Sequence, residues 1–410
     1  MALPINTVAI IPAATERIRN GDAHYRFRQS SDFYYLTGFN EAEAVLLIES
    51  GENSRCYLFN RSKDPKQEQW TGARMGQHAA VDILGVSAAY PITALDKKLP
   101  DMLNGCQKIY IASGSDHKLC ESILSAWHQG YELLSLAEIL HPMRLIKDPL
   151  EVTAMKNAAR LSVAGHLGAM RACKKLKYEY ELEAELIYEF TRQGARSVAY
   201  DSIVACGENA CILHYTDNNK PLRAGELVLV DAAGEYENYA ADITRTYPVS
   251  GRFTPEQKDI YELVLQAQKT GIQCVRPGGA WQDIQQAIVL TLTEGLVDLK
   301  LLTGNVQDLI ATSAYRKYYM HNSGHWLGLD VHDAGSYQNP DGSSLTFAPG
   351  MVLTVEPGLY LSSSHPELPV AFQGIGVRIE DDILVTEHGC ENLTGALPVE
   401  ITDIEALICG

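Results

Sequence analysis

LVLVDAAGEYENYAADITRTYPV, residues Leu227–Val249, is the stretch that decides the fold of this chain. Two runs rich in β-branched residues flank a polar centre, which predicts a strand, a turn and a second strand. If the turn centres between Tyr236 and Glu237, Asp231 lies opposite Asp242, with the two Cβ atoms about 4.5–5.5 Å apart. Facing carboxylates repel unless a cation lies between them. The stretch therefore predicts a β-hairpin with a cation between the two aspartates; solvent-facing strand residues are the alternative.

Two glutamates further along belong to apolar, strand-like segments. Glu356 follows VLTV and precedes a Pro-Gly turn, and Glu380 follows IGVRI. Arg378 and Glu380 share a strand face because strand side chains alternate. The arginine is thus placed to orient or screen the carboxylate. For each glutamate taken alone, a solvated strand end is the alternative.

Histidines concentrate in HNSGHWLGLDVHDAG, residues His321–Gly335. His321, His325 and His332 fall within twelve positions, among glycines and apolar residues. A lone histidine is more often structural, but three in one short segment favour a functional role. His214, which follows the strand-like segment SIVACG at a short distance, is a fourth candidate.

The charges of the candidate residues favour two metal ions. Four carboxylates carry four negative charges, which two divalent cations neutralise and one does not, with one histidine as a neutral ligand. Two such ions about 3.5–4 Å apart can share a bridging hydroxide and polarise a carbonyl group. Oxygen ligands with one imidazole favour Mn²⁺ and admit Co²⁺, Fe²⁺ or Zn²⁺. The sequence has neither a Walker A loop nor a GxSxG motif, so metallohydrolase chemistry is the better prediction.

Composition limits the class of protein. The 410 residues suffice for two domains, and the net charge of −17 argues against non-specific binding to nucleic acid. No apolar run has the length of a membrane span, and the N-terminus has no basic segment typical of a signal peptide. Nine cysteines without a CxxC pair predict reduced thiols and a cytoplasmic protein.

The order of predicted elements indicates two domains, at 1–147 and 148–410. The first third alternates strands and helices, with strands predicted at 44–50, 55–60 and 108–113 and helices at 122–129 and 135–140. RLIKDP, residues 144–149, marks the boundary, because Asp148 and Pro149 have the properties of an N-cap and a first helical residue. Further helices are predicted at 180–194 and 254–275, with strands between and after them.

Long motifs in this order resemble the proline-specific M24 metallopeptidases, most closely the aminopeptidase P family. In the second domain they are GENACILHYTDN, LVDAAGEYENYAADITRTYPV, HWLGLDVHD, LTVEPGLY and GVRIEDDI. FRQSSDFYYLTGFNEAEAVLLI resembles the N-terminal domain of that family. The resemblance implies an α/β N-terminal domain with a mixed sheet, of the creatinase/aminopeptidase P N-terminal type. It also implies an α+β C-terminal pita-bread domain that holds two Mn²⁺ ions.

The resemblance also implies roles for individual residues. One ion would contact Asp231, Asp242 and Glu380. The other would contact Asp242, His325, Glu356 and Glu380, so that Asp242 and Glu380 bridge the pair. His214, His332 and Glu356 would be catalytic. The substrate would contact His321, Tyr360, Arg378 and Trp70, the last lying in EQWTGARMG and approaching a neighbouring subunit's site in tetrameric relatives.

The implied activity is removal of an N-terminal residue that precedes proline. A metal-bridging hydroxide attacks the carbonyl group, His214 stabilises the oxyanion, and Glu356 carries a proton to the proline nitrogen. The substrate amine lies near Asp231, while His321 and His332 shape the proline pocket. The chain departs from its relatives in HNSGH and in SYQNPDGSSLTF, which lacks the basic residues that some relatives have there.

Other functions of the same fold are weighed against this one. A prolidase cleaves only Xaa-Pro dipeptides, creatinase works without metal, and histone chaperones of this fold have lost the ligands. The complete ligand set favours a metallopeptidase acting on peptides with proline second. The expected assembly is a homodimer or homotetramer, with neither nucleic acid nor membrane as a partner.

Overall fold

The computed structural model describes residues 3–112 and 132–410. The chain divides into two compact units, Met1–Arg144 and Leu145–Gly410. The division falls at the start of the segment 144–149, and the domain limits of 1–147 and 148–410 stay a prediction. The helix expected at 122–129 lies outside the described residues. Within the described ranges, no helix combines the length and the apolar character that crossing a membrane requires.

The first unit is built on a six-stranded mixed sheet, as predicted. The strand order is β6-β5-β4-β1-β7-β8, with β1 antiparallel to β4 and parallel to β7. Its described elements are β1 (Thr7–Pro12), β2 (Ile18–Asn20), β3 (Ala23–His24), α1 (Ser31–Thr37), β4 (Val45–Ser50), β5 (Arg55–Asn60), α2 (Pro65–Thr71), α3 (Gly76–Leu84), β6 (Ala88–Pro91), α4 (Leu95–Leu103), β7 (Lys108–Ile111), β8 (Glu132–Ser135) and α5 (Ala137–Leu145).

Helices cover both faces of this sheet, because β1 is apolar on both. Val8 and Ile10 belong to one cluster of buried side chains, which includes Leu99 of α4. Ala9 and Ile11 point to the opposite face and belong to a second cluster. Alternation along the strand thus supplies two cores, as in sheets that are covered on both sides.

The second unit combines several small antiparallel sheets with long helices. Its elements are α6 (Pro149–Ala172), α7 (Glu179–Arg192), β9 (Ser197–Val198), β10 (Ile203–Cys206), β11 (Leu227–Asp231), β12 (Gly234–Tyr236), β13 (Tyr239–Ala240), β14 (Thr244–Pro248), α8 (Pro255–Gln273), α9 (Trp281–Asp298), α10 (Val306–Ala311), β15 (Val352–Val355), β16 (Gly358–Leu361), β17 (Ile375–Arg378), β18 (Asp381–Thr386), β19 (Gly389–Asn392) and α11 (Ile401–Cys409). This α+β organisation agrees with the predicted class.

Helix α6 begins where the sequence predicts it. Asp148 is the N-cap, and its Oδ1 accepts hydrogen bonds from the backbone N–H groups of Leu150 and Glu151. In turn, the side-chain carboxylate of Glu151 accepts a hydrogen bond from the backbone N–H of Asp148, and the two contacts form a capping box. Thr254 caps α8 in the same way. Sequence analysis did not identify α9.

The predicted register of the central hairpin is wrong by two residues. Asp231 pairs with Thr244, not with Asp242. The turn residues are Glu237 and Asn238, with φ of 49° and 64°, as a type I′ turn requires. This turn moves the centre of the hairpin one residue along the chain. A two-residue shift keeps side chains on the same face, so both aspartates still belong to one side.

Candidate metal centre

Four of the predicted side chains, all carboxylates, lie at the ends of, or between, strands of the second unit. Asp231 ends β11, and Asp242 lies between β13 and β14. Glu380 precedes β18 and is tied to the first hairpin, since its N–H donates to the carbonyl of Thr244 over 3.1 Å. Glu356 lies between β15 and β16, where its N–H donates to the carbonyl of Ser323 over 2.9 Å. Backbone hydrogen bonds therefore hold Glu380 beside the hairpin and Glu356 beside the segment that carries the histidines.

The position of His325 is also fixed by backbone contacts. Its N–H donates to Oγ1 of Thr354 over 3.0 Å, and its carbonyl accepts from the Thr354 N–H over 2.9 Å. The imidazole Nε2 lies 3.3 Å from Oδ2 of Asp242 and 3.7 Å from Oε1 of Glu356. Potential ligand atoms of Asp242, His325 and Glu380 all lie within 4.8 Å of one another.

The carboxylates of Asp231 and Asp242 meet at the hydroxyl of Tyr200. The Tyr200 oxygen lies 2.6 Å from Oδ1 of Asp231 and 2.5 Å from Oδ1 of Asp242. The other oxygen of Asp231 accepts from the Arg378 guanidinium over 2.6 Å. Asp231 and Asp242 are 8% and 5% exposed, so both carboxylates are held away from bulk water.

A second chain of hydrogen bonds orients Glu380. Thr244 Oγ1 donates to Oε2 of Glu380 over 2.6 Å and accepts from Nε of Arg378 over 3.1 Å. Arg378 also donates to the hydroxyl of Tyr360 over 2.9 Å. Arg378 was predicted to orient Glu380 directly, from the same strand face. It acts on Glu380 through Thr244 instead, and its direct ion pair is with Asp231.

Burial and repulsion between neighbouring carboxylates both raise the pKa values of Glu356 and Glu380. Burial raises the pKa of Glu356 to about 7, and the neighbouring aspartates add to the effect against the charges of His325 and Arg378. Burial, followed by the charges of Asp242 and Glu356, raises the pKa of Glu380 well above its usual value. Although burial opposes it, the hydrogen bond to Asp242 raises the pKa of His325 to about 9.

The acidic residues of the site lie close together with few positive charges beside them. Among the described residues that line the cavity, the side chains of Asp231, Asp242, Glu356 and Glu380 are accompanied by one permanent cation, the guanidinium of Arg378. His325 Nδ1 lies 3.0 Å from the carbonyl of Trp326, an acceptor for the Nδ1 proton, so Nε2, which faces the carboxylates, is the nitrogen that would bind a metal ion in place of a proton. An oxygen-rich set with one such imidazole fits divalent cations, and zinc or manganese are both compatible with it.

The remaining predicted histidines surround the same cavity. His321 Nε2 lies 2.8 Å from the hydroxyl of Tyr360, and burial, with the charge of Arg378, lowers the pKa of His321 to about 4. The ring of His332 lies 4.2 Å from that of His325, and burial lowers the pKa of His332. His214 lines the cavity from an exposed loop position.

Trp70 differs from the other predicted residues. It lies on α2 in the first unit and is 86% exposed. Its approach to a neighbouring subunit's site stays a prediction.

Sequence reasoning missed Tyr200 and Thr244. Thr244 lies two residues after Asp242 on a strand-like run, so alternation alone could have placed it beside the acidic groups. Tyr200 had no local signal, because its contacts with Asp231 and Asp242 span 31 and 42 residues.

The comparisons with known proteins agree with this geometry. The sequence profile described as "Metallopeptidase family M24" matches residues 153–387, and that of the "Aminopeptidase P, N-terminal domain" matches residues 1–110. Two curated relatives, both named Xaa-Pro aminopeptidase, come from Haemophilus influenzae and Escherichia coli. They are 45% and 43% identical to this chain, and each alignment covers 98% of this chain and 93% of the relative.

Solved structures give the same result. The aminopeptidase PepP of Pseudomonas aeruginosa superimposes with a TM-score of 0.94 at 45% identity, covering 99% of this chain and 95% of its own. The aminopeptidase P of Escherichia coli with the inhibitor Pro-Leu gives 0.94 at 42% identity and the same coverage. The second unit is thus the pita-bread domain that was predicted, the first is an aminopeptidase P N-terminal domain, and the chain belongs to metallopeptidase family M24.

Proposed function

We propose that this chain is a metalloaminopeptidase that hydrolyses the bond between an N-terminal residue and a following proline. One observation carries the proposal: Asp231, Asp242, His325, Glu356 and Glu380 converge on the floor of one cavity. The Xaa-Pro aminopeptidase names of relatives at 43–45% identity over nearly the whole chain support the choice of substrate.

We assign the five residues to two divalent ions, because two ions balance the four carboxylates. We assign these ions as Mn²⁺, which oxygen ligands with one imidazole favour. Such ions supply a lowered pKa for water and polarisation of the peptide carbonyl group. Zinc is compatible with the same donors, and one solved structure of the Escherichia coli enzyme is described as zinc-substituted. The ratio of metal to protein after loading with Mn²⁺ measures the number of ions directly.

The side chains around the floor have separate tasks in this proposal. Glu356, a desolvated carboxylate, accepts a proton from the attacking water and delivers it to the proline nitrogen as the C–N bond breaks. His214 and His332 line the cavity where the tetrahedral oxyanion forms. Tyr360 and His321, joined by their hydrogen bond, form a fixed side of the proline pocket.

The carboxylates on the floor of the cavity explain why the enzyme would act at the N-terminus of a peptide substrate. Asp231 is held by Tyr200 and Arg378, so its carboxylate is fixed in position before a ligand binds. A free α-amino group is attracted to such a site, whereas an acylated one offers no positive charge. We therefore expect N-acetylated peptides to be poor substrates.

The test is Mn²⁺-dependent release of the first residue from a Xaa-Pro-Xbb tripeptide. Release from the tripeptide supports the proposal, and cleavage confined to the Xaa-Pro dipeptide would make the chain a prolidase. Binding of metal without hydrolysis of either peptide would indicate a non-catalytic protein of the same fold.

Two further proposals accompany the function. The eight described cysteines are free thiols, which supports a reducing, cytoplasmic location. We also propose a homodimer or homotetramer, which light scattering of the purified protein tests.

A further inference from the structure

Helix α7 of the second unit is apolar on two opposite faces. Its buried face includes Leu182, Leu186 and Phe190. A second face, directed to solvent, carries residues at the i, i+4, i+7 and i+8 spacing that places side chains on one side of a helix. We name these four residues the tyrosine stripe: Tyr180, Ala184, Ile187 and Tyr188. A helix that is apolar on both sides is typical of one that is covered on both sides, so the stripe points to a partner.

The large side chains of the tyrosine stripe are open to solvent. Tyr180, Ile187 and Tyr188 are 47%, 41% and 60% exposed. Tyr178, the residue before α7, stacks on Tyr180 with ring centroids 5.1 Å apart and 10° between the ring planes. The apolar surface therefore continues beyond the start of the helix. Contiguous exposed apolar surface marks interaction sites on soluble proteins, whereas single exposed apolar residues do not.

Positive charge lies at one end of the stripe. Three exposed lysines come shortly before α7, namely Lys174, Lys175 and Lys177. Within the described ranges, none of the three forms an ion pair with a carboxylate. Their charges are therefore available to a group outside the chain.

Negative charge lies along one side of the stripe. Glu181, Glu185 and Glu189 follow one another at the i, i+4 spacing. The carboxylate of Glu181 accepts from two backbone N–H groups that precede the helix, and Glu189 forms an ion pair of 2.7 Å with Arg192. Among the residues that the structure describes, Glu185 has neither an ion pair nor a side-chain hydrogen bond. It is thus the carboxylate of this row that is left for a partner.

The unpaired charges of both signs lie on the same side of the stripe. A Cβ added to Gly168 of α6 would lie 3.0 Å from Cγ of Glu189, so the row of glutamates faces α6. The three lysines follow the C-terminal end of α6. Along this side, cations near the start of α7 are therefore succeeded by the carboxylate of Glu185.

A partner that fits this surface must offer the same two charges in the opposite order. A uniformly acidic partner, such as an anionic membrane, is repelled by the glutamates, and a uniformly basic one by the lysines. The same surface of a second copy, turned by 180°, has the required order. Contacts of this kind are isologous, since residue i of one copy meets residue j of the other, and j meets i.

We infer that the tyrosine stripe binds the tyrosine stripe of a second copy of this chain, with the two α7 helices antiparallel and the two-fold axis close to Tyr180. Lys177 of each copy then lies beside Glu185 of the other. The aliphatic stems of the lysines cover Ile187 and Tyr188, and the exposed Tyr188 ring accepts a neighbouring ammonium group. This inference is independent of the aminopeptidase activity and assigns a surface to the proposed homo-oligomer.

Charge reversal tests the pairing by sedimentation equilibrium of the full-length protein. We expect Glu185→Lys and Lys177→Glu each to raise the Kd of self-association by about tenfold or more, because a symmetric contact contains the reversed pair twice. The double variant restores opposite charges, and its Kd should return to within about threefold of the parent value. Glu262→Lys, at an exposed position on α8, is the control for net charge and should leave the Kd unchanged. A double variant as weak as the single ones would show that the two residues do not meet.

A tyrosine substitution tests the apolar part of the contact. Tyr188→Ser should raise the Kd by about tenfold or more, because large aromatic side chains dominate the binding energy of interfaces. Tyr25→Ser, which removes a tyrosine that is 59% exposed in the first unit, should leave the Kd unchanged. Circular dichroism of each variant checks that it is folded.

The outcomes separate this inference from the other proposals. If the parent associates but Glu185→Lys and Tyr188→Ser keep its Kd, association uses another surface and the inference is overturned while the homo-oligomer stands. A parent with the mass of one chain at every concentration would refute the homo-oligomer and the inference together. Hydrolysis of a Xaa-Pro-Xbb peptide, measured on the same samples, tests the proposed activity alone.

Discussion

Lys147 and Asp333 form an ion pair of 2.9 Å in which both side chains are withdrawn from solvent, with 0% and 1% exposed. The pair joins the segment before α6 to the turn that follows His332. A backbone hydrogen bond also stabilises this turn: the N–H of Asp333 donates to the carbonyl of Trp326 over 2.9 Å. The ion pair thus fixes the turn beside one of the proposed catalytic histidines.

We predict that Lys147→Ala lowers the free energy of unfolding by about 3–5 kcal/mol, because it leaves the carboxylate of Asp333 buried without its cation. Lys156→Ala is a matched control. Lys156 forms an ion pair of 2.8 Å with Glu391, but both side chains are nearly half exposed, so its loss should cost about 0–1 kcal/mol. Denaturant unfolding of the two variants measures the difference, and equal costs would contradict the assignment.

Glu179 holds the loop that carries His214. Its buried carboxylate accepts four hydrogen bonds, from the N–H groups of Cys206 and Lys220, the Asn209 amide and the Tyr215 hydroxyl. Tyr215 is the neighbour of His214 in sequence, so the contact also limits the position of the histidine.

Glu179→Ala should lower the free energy of unfolding by about 3 kcal/mol or more, since several buried donors lose their acceptor. It should also lower kcat at temperatures where the variant is folded, because His214 is no longer held. Glu183→Ala, a half-buried position on the same helix, is the control for helix content and charge. A fall in stability with unchanged kcat would limit Glu179 to a structural role.

Local patterns predicted many of the helices and strands and the order of the site residues, but not α9 or the contacts between site residues. Asp148 was identified as a helix N-cap, and a helix start was predicted at Thr254, because both signals lie within four residues of the helix start. The hairpin register depended on which two residues adopt positive φ, and the choice of Glu237 and Asn238 is not encoded in strand alternation. Tyr200 and Glu179 act through partners tens of residues away, which a single sequence does not reveal.

Metal binding should stabilise the fold through His325. A ligand that binds the native state alone contributes about 2.7 kcal/mol at a concentration one hundred times its Kd. We predict that Mn²⁺ raises the melting temperature of the parent protein and that His325→Ala abolishes most of this rise. His78→Ala, which removes a 96% exposed side chain, should keep the full rise. A full Mn²⁺-dependent rise in His325→Ala would contradict the ligand assignment.

Glu356 is expected to carry the proton during hydrolysis. Glu356→Gln keeps the shape of the side chain but removes its ability to accept a proton, so kcat should fall by about 10²–10⁴. Metal content, measured by elemental analysis on the same sample, separates loss of the proton carrier from loss of an ion. Glu391→Gln, at an exposed strand position, controls for the change in net charge. Retained turnover in Glu356→Gln would remove this residue from the proposed mechanism.

His166 makes the stability of the second unit sensitive to acid. The imidazole is fully buried on α6, and its Nε2 lies 2.8 Å from the carbonyl of Ala232. Burial lowers the pKa of His166 from 6.5 to about 4. Between these two values the imidazole is protonated in the unfolded chain but neutral in the folded chain. The contribution of His166 to the free energy of unfolding is therefore complete above pH 6.5 and is lost as the pH falls to about 4.

The shift corresponds to about 3 kcal/mol of unfolding free energy between these limits. His166→Gln removes the titrating group. Between pH 7 and pH 4 we predict that the free energy of unfolding decreases by about 3 kcal/mol less in this variant than in the parent protein. His388→Gln, at an exposed position, should follow the parent profile, because that imidazole is solvated in both states. Urea unfolding across this pH range measures all three proteins. Gln does not titrate in this pH range. If the free energy of unfolding of His166→Gln fell with pH in parallel with that of the parent, another group would therefore cause the acid sensitivity.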